Sequence, residues 1–177
     1  MGSIAYPLAV YLGRDRIAPE AFVAVALLLL ALRLATLRSA TAARWRPPLL
    51  ATCAVLLFLA LADAPLASMA YPILLSLAAV AVFGWSLVRP PSLVEQFARL
   101  RHPDLPPAGR AYCRRGTAGW TGWLGGNAAG TAAPAARGDV RLWALWTGVI
   151  FYLASGLLLA GEYLIRHWAM HRDAGAP

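Results

Sequence analysis

Apolar residues come in long runs separated by short polar breaks. Spanning about 30 Å of hydrocarbon takes roughly 20 apolar residues in a helix. Residues 17–37 form the first run of that kind, with Ala21–Leu32 uninterrupted. Pro19 and Glu20 suit its first turn, and Arg33 can snorkel near its end. Residues 47–64 form a second run, entered through Pro47-Pro48, and residues 68–88 a third. Asp63 and Pro65 mark the short turn between them. Residues 116–136 are uncharged but rich in Gly and Ala, a weaker span. Arg137-Gly138-Asp139 is a turn, and residues 140–165 form a strong last span. Residues 3–12 are apolar but too short to cross alone, and read as a re-entrant or interfacial piece. The expected fold is therefore all-α, a polytopic transmembrane helical bundle. It has about five spans in a single domain, or six if residues 3–12 pair with other apolar sequence.

The longest polar stretch, residues 89–115, breaks this pattern with an element of its own. Arg89-Pro90-Pro91 ends the third span, because proline cannot continue a helix. Ser92 and Glu95 then have the spacing of a capping box, in which each side chain satisfies an amide at the start of a new helix. Leu93, Val94, Phe97 and Leu100 fall on one face of that helix, and Glu95, Gln96, Arg99 and Arg101 elsewhere. This is a short amphipathic helix suited to the inner-leaflet interface. His102-Pro103-Asp104 ends it.

Composition agrees with a lipid environment. Of the 177 residues, 60% are hydrophobic and only 14% charged, against about 25% charged in soluble domains. Disorder is excluded by the same figures. The net charge is +8, and all sixteen cations are Arg. They lie between apolar runs and form no single polar module, which argues for cytoplasmic loops and anionic headgroups and against nucleic acid. The loops 38–46 and 89–115 together hold nine Arg, and the turn 62–67 none. Both Arg-rich loops are thus expected in the cytoplasm, and the C-terminus with them if 116–136 crosses. Residues 1–13 have no basic region or cleavage site of a signal peptide.

Candidate chemistry is sparse. Arg89, Ser92, Glu95, Arg99, Arg101, Arg110, Arg114 and Arg115 are the candidate lipid- or partner-binding set. Three Arg beside Tyr112 suffice to neutralise a phosphate, although they equally suit a positive-inside stop. Gly122, Gly126 and Gly130 are spaced four apart, the pattern that lets helices approach closely, with Asn127 beside them. They read as intramolecular packing, a cavity wall or the seam of a homo-oligomer. Glu162 is a carboxylate near the inner end of the last span, which marks a functional candidate in a membrane. An ordinary pair with Arg166, four residues on, also accounts for it. Trp143, Trp146, Phe151, Tyr152, Tyr163 and Trp168 read as an aromatic belt. Cys53 and Cys113 suggest no disulfide. His167 and His171 lack a third ligand, so no metal and no cofactor is expected. No nucleophile elbow, P-loop or zinc-protease motif is present. Ser3-Ile-Ala-Tyr-Pro-Leu8 echoes Ser68-Met-Ala-Tyr-Pro-Ile73, read as a shared way of starting a helix.

The strings Tyr71-Pro72, Phe83-Gly84-Trp85-Ser86-Leu87, Arg89-Pro90-Pro91-Ser92-Leu93-Val94-Glu95 and Ala98-Arg99-Leu100 are followed by Pro103-Asp104-Leu105-Pro106-Pro107, then by Tyr112, Arg114-Arg115, Trp143–Gly148 and Ala160-Gly161-Glu162-Tyr163. Together they resemble a bacterial family of small integral membrane proteins encoded in clusters for aryl-polyene or xanthomonadin-type pigments. The chain departs from the pattern at a short amino terminus and in the glycine content of residues 116–136. The resemblance implies an accessory role in making or exporting a membrane-anchored polyene lipid, and supplies no mechanism. The leading expectation is a non-catalytic inner-membrane scaffold that recruits soluble acyl-carrier-dependent enzymes through residues 89–115. The rivals are a lipid transporter or flippase component, and a small membrane enzyme acting on an acyl or prenyl lipid with Glu162 as its base.

Overall fold

The computed structural model describes residues 18–37 and 43–173, with side chains through Tyr163. Residues 3–12, Arg38 and the side chains of Arg166, His167, Trp168 and His171 lie outside the described set, and so does the first copy of the echo. The described chain is helical, with no strand among the described residues. Helix α1 is Pro19–Thr36, α2 is Arg46–Ala62 and α3 is Ala64–Val88. A short α4, Leu93–Arg99, is followed by α5, Pro107–Ala136. The last helix has three parts: α6, Val140–Leu145; a π-helical turn, Trp146–Ile150; and α7, Phe151–Asp173. Three of these stretches are long and apolar enough to cross a membrane: α1, α3 and Val140–Tyr163. Helix α2 is equally apolar but shorter.

Local chemistry sets the helix ends. One residue, Asp63, separates α2 from α3. Its amide closes α2 on the Leu59 carbonyl at 2.7 Å, and its carboxylate accepts from the Leu66 amide at 3.0 Å. Pro65 stands in the first turn, where its missing N–H costs nothing. Helix α3 therefore starts at Ala64, four residues before the apolar run suggests. The 68–73 string sits within α3, with Ser68 donating to the Pro65 carbonyl. Its reading as a helix start is thus corrected: the start signal is Asp63. An N-cap carboxylate is worth about 1 kcal/mol. Asp63→Ala is expected to lower stability by about that amount, seen as a lower midpoint of thermal unfolding in detergent.

The far end of α5 closes as a Schellman motif. Gly138 takes φ +69°, the Asp139 amide donates to the Pro134 carbonyl, and the Gly138 amide to that of Ala135. Asp139 then caps α6 by accepting from Leu142 at 2.9 Å. One Gly and one Asp thus stop one helix and start the next.

Helix α3 is the hub. In its apolar window 44% of residues are buried, against 22% in α1 and 17% in the last helix. Phe22, Ala26 and Leu30 of α1, Leu49 and Leu56 of α2, and Trp143 of α6 pack into one core with Ala67, Met69 and Tyr71 of α3. The outward faces are also apolar: Leu61 is 90% exposed, Leu157 74% and Phe58 70%. A helix that is apolar all round fits lipid, not water.

Helix α5 is less apolar but lies antiparallel to α3 on one side and to the last helix on the other. Along α3, Thr121 packs on Gly84, Val80 on Gly125, and Asn127 meets Ser76. Along the last helix, Trp146 lies against Gly130, Trp123 against Ser155, and Trp120 against Glu162. At 30 residues α5 is about 45 Å long, so it runs the full depth of the bundle.

Candidate functional site

Two regions gather polar side chains: an elbow around α4 and a hydrogen-bonded relay deep between α3, α5 and the last helix.

The elbow is built by hydroxyls from neighbouring helices. The first amides of a helix lack partners within it. In α4 the Leu93 amide donates to Ser86 Oγ of α3 at 2.9 Å, and the Val94 amide to Thr117 Oγ1 of α5 at 3.2 Å. Each hydroxyl passes its own proton back along its helix, Ser86 to the Phe83 carbonyl and Thr117 to that of Cys113. The expected capping box is therefore corrected. Ser92 holds the N-cap position but makes no capping bond, and its buried Oγ has no hydrogen-bond partner among the described residues. Glu95 turns to Arg99, accepting from Nε at 3.0 Å and Nη2 at 2.8 Å. Donors supplied by packing displace the local motif because α4 is pressed against α3 and α5.

The same docking changes the amphipathic reading. Leu93 and Glu95 are buried, whereas Phe97 is 56% exposed and Leu100 80%. With Trp85 and Val88 they form an exposed apolar fringe at the C-terminal end of α3. The seven-residue α4 is thus fixed to the protein by one edge and offers its large apolar side chains outward.

The arginines of the elbow divide into two groups. Arg89 lies over the Trp85 ring at 4.7 Å, Arg99 is held by Glu95, and Arg114 donates to the Leu87 carbonyl at 2.7 Å. These three tie the elbow together. Arg101, Arg110 and Arg115 are exposed on its surface. Because α5 starts at Pro107, Arg110, Arg114 and Arg115 belong to a helix and not to a loop.

The deep relay crosses three helices. Trp146 Nε1 donates to Asn127 Oδ1 at 3.1 Å. Asn127 Nδ2 donates to Ser76 Oγ at 2.9 Å, and Ser76 donates to the Pro72 carbonyl at 2.9 Å. Nearby, Trp143 Nε1 donates to the Met69 carbonyl at 3.2 Å, and Thr147 donates to the Trp143 carbonyl. Trp143 is fully buried, so the aromatic-belt reading is corrected for Trp143 and Trp146: both indoles point inward as hydrogen-bond donors. Phe151 stacks on Trp123. The cue available in the sequence was the density of Trp from 120 to 146, since a buried indole N–H needs an acceptor.

The glycine row is not uniform. Gly122 and Gly126 face outward, with nothing near the place a Cβ would occupy, whereas Gly130 lies directly against the Trp146 ring. Glu162 comes within 3.4 Å of Trp120 Nε1 and packs beside Gly116. It lies against α5 between a third and a half of the way along that helix and takes no part in the deep relay.

No group of three or more His, Cys, Asp or Glu among the described residues could hold a metal ion. Neither cysteine is in a disulfide. What the elbow can do chemically is present cations and apolar side chains in fixed positions. Comparison with protein families, with characterised proteins and with solved structures finds no match to this chain.

Proposed function

We propose that the chain is a five-span protein of the bacterial inner membrane that acts as a non-catalytic docking platform. The spans are α1, α2, α3, α5 and the last helix, with the elbow and the C-terminus on the cytoplasmic side. Its partners are membrane lipids and soluble acyl-carrier-dependent enzymes, and the resemblance described above extends the role to polyene-lipid biosynthesis. The carrying observation is the division of the arginines. Three make contacts within the elbow, which leaves Arg101, Arg110 and Arg115 exposed on a framework those contacts hold. A positive-inside signal alone needs no such rigidity. A surface that binds acidic partners gains from it, because less freedom is lost on association.

Replacing Arg101, Arg110 and Arg115 by Gln leaves every elbow contact in place. Three exposed ion pairs at ~0.2–1 kcal/mol each predict roughly a three- to hundredfold weaker association. Quantitative mass spectrometry of membrane and soluble fractions is expected to find the acyl-carrier-dependent enzymes shifted into the soluble fraction. An unchanged distribution in cells carrying the triple variant would overturn the proposal. The Glu162→Gln variant is expected to leave the distribution as it is.

A further inference from the structure

Beside the deep relay is a cavity of about 140 Å³ between α3, α5 and the last helix. Its polar lining comes from Tyr71, Ser76, Asn127, Thr147 and Tyr152, and its apolar walls include Leu75 and Phe151. The cavity is open on one side, and two departures from regular helix and one buried carboxamide meet at it. Pro72 interrupts the amide ladder of α3. The π-turn at Trp146–Ile150 widens the last helix, a distortion often found where ligands bind. Asn127, a carboxamide buried at this depth, is costly in hydrocarbon. When several local rules fail at one place, that place is commonly a site.

We propose that this cavity binds the neutral, hydroxyl- or carbonyl-bearing end of a membrane amphiphile. Size comes first: a dry cavity of about 150 Å³ accommodates one benzene, so the occupant is a ring or short segment and not a whole headgroup. Charge comes next. No Arg, Asp or Glu lines the cavity, and an ionised group drawn into it would lose its hydration. Hydrogen bonding then selects among neutral groups. Asn127 Nδ2 has a second N–H, Ser76 Oγ an unused lone pair and Tyr152 a hydroxyl. Bonds already made hold the first two in place. The mostly apolar wall disfavours a water cluster, which needs two to four polar partners per molecule.

The test uses the full chain in lipid nanodiscs and three photoreactive probes of equal length: hexadecanol with a diazirine near the hydroxyl, the matching alkane and the matching fatty acid. Adducts are mapped by peptide mass spectrometry. The alcohol is expected to label peptides containing Leu75, Ala79 or Phe151 about tenfold more than the alkane, the ~1.4 kcal/mol that one hydrogen bond supplies. The ionised fatty acid is expected to stay at the alkane level. Ala79→Phe fills the cavity from α3 and removes no polar group; it should abolish the excess. If that variant fails to fold, Leu124→Phe does the same from α5. Equal labelling by alcohol and alkane, equal labelling by alcohol and fatty acid, or an excess that survives the filled cavity would each overturn the proposal.

Discussion

Gly130→Ala is expected to destabilise the bundle by roughly 2 kcal/mol: about 2 kcal/mol of overpacking and about 1 kcal/mol for one displaced hydrogen bond, less about 1 kcal/mol of helix propensity gained. A Cβ at Gly130 would fall inside the Trp146 indole, 2.8 Å from Nε1 and closer still to two ring carbons. The ring is a poor candidate for yielding. Its N–H is bonded to Asn127, which is bonded to Ser76. Moving it breaks the relay at its first link and leaves Asn127 Oδ1 without its donor. Gly122→Ala and Gly126→Ala supply the contrast. Both positions are open, and each exchange of Gly for Ala in a helix gains up to about 1 kcal/mol of propensity. Denaturation in mixed micelles should therefore separate one strongly destabilised variant from two that are neutral or more stable. Three equal losses would mean that the row acts as one seam.

The glycine row shows what a linear pattern conveys. Spacing by four marks a helix face, and the row does lie along one side of α5. It does not say which member of the row meets a ring, because that depends on where the π-turn sets Trp146. The three long apolar helices and the turns were legible for a different reason. An apolar run of about 20 residues has few alternatives to crossing lipid, and the turn signals at Asp63 and at Gly138-Asp139 act through bonds to residues five or fewer positions away.

Inward and outward orientation was the hidden quantity. In a soluble helix the polar face identifies the buried one. In α3 and the last helix both faces are apolar, so Trp143 and Trp146 could be read toward lipid as easily as toward the core. The bonds made by Ser76, Ser86, Thr117 and Thr147 are hidden for the same reason. Single hydroxyls within apolar runs look neutral, and each gains meaning only from the helix packed opposite. The elbow arginines show the converse. Their chemistry was conspicuous, yet only packing separates Arg89, Arg99 and Arg114, which hold the fold, from Arg101, Arg110 and Arg115, which do not.

The elbow should open when its two imported caps are removed together. In Ser86→Ala with Thr117→Val, the Leu93 and Val94 amides lose their acceptors in a region that excludes water. A buried donor left unsatisfied costs about 1–3 kcal/mol, so the pair costs roughly 2–4 kcal/mol once some relaxation is allowed. Helix α4 is too short to hold itself by propensity. The loss should therefore appear as local undocking while the bundle stays folded. Cys113 reports on this directly. It lies one turn before Thr117 on the same face of α5 and is buried. With Cys53 replaced by Ala, its alkylation by a water-soluble maleimide should accelerate about thirtyfold or more, as expected when ~2 kcal/mol is taken from the opening free energy. Each single variant should give an intermediate rate. The proposed docking role should respond in parallel: a flexible elbow keeps Arg101, Arg110 and Arg115 but loses the framework that holds them. Enzymes held by that arrangement should leave the membrane even though no exposed charge has changed. Retention of the enzymes with Cys113 freely alkylated would separate the two ideas, leaving the caps as structural devices and removing rigidity from the account of binding.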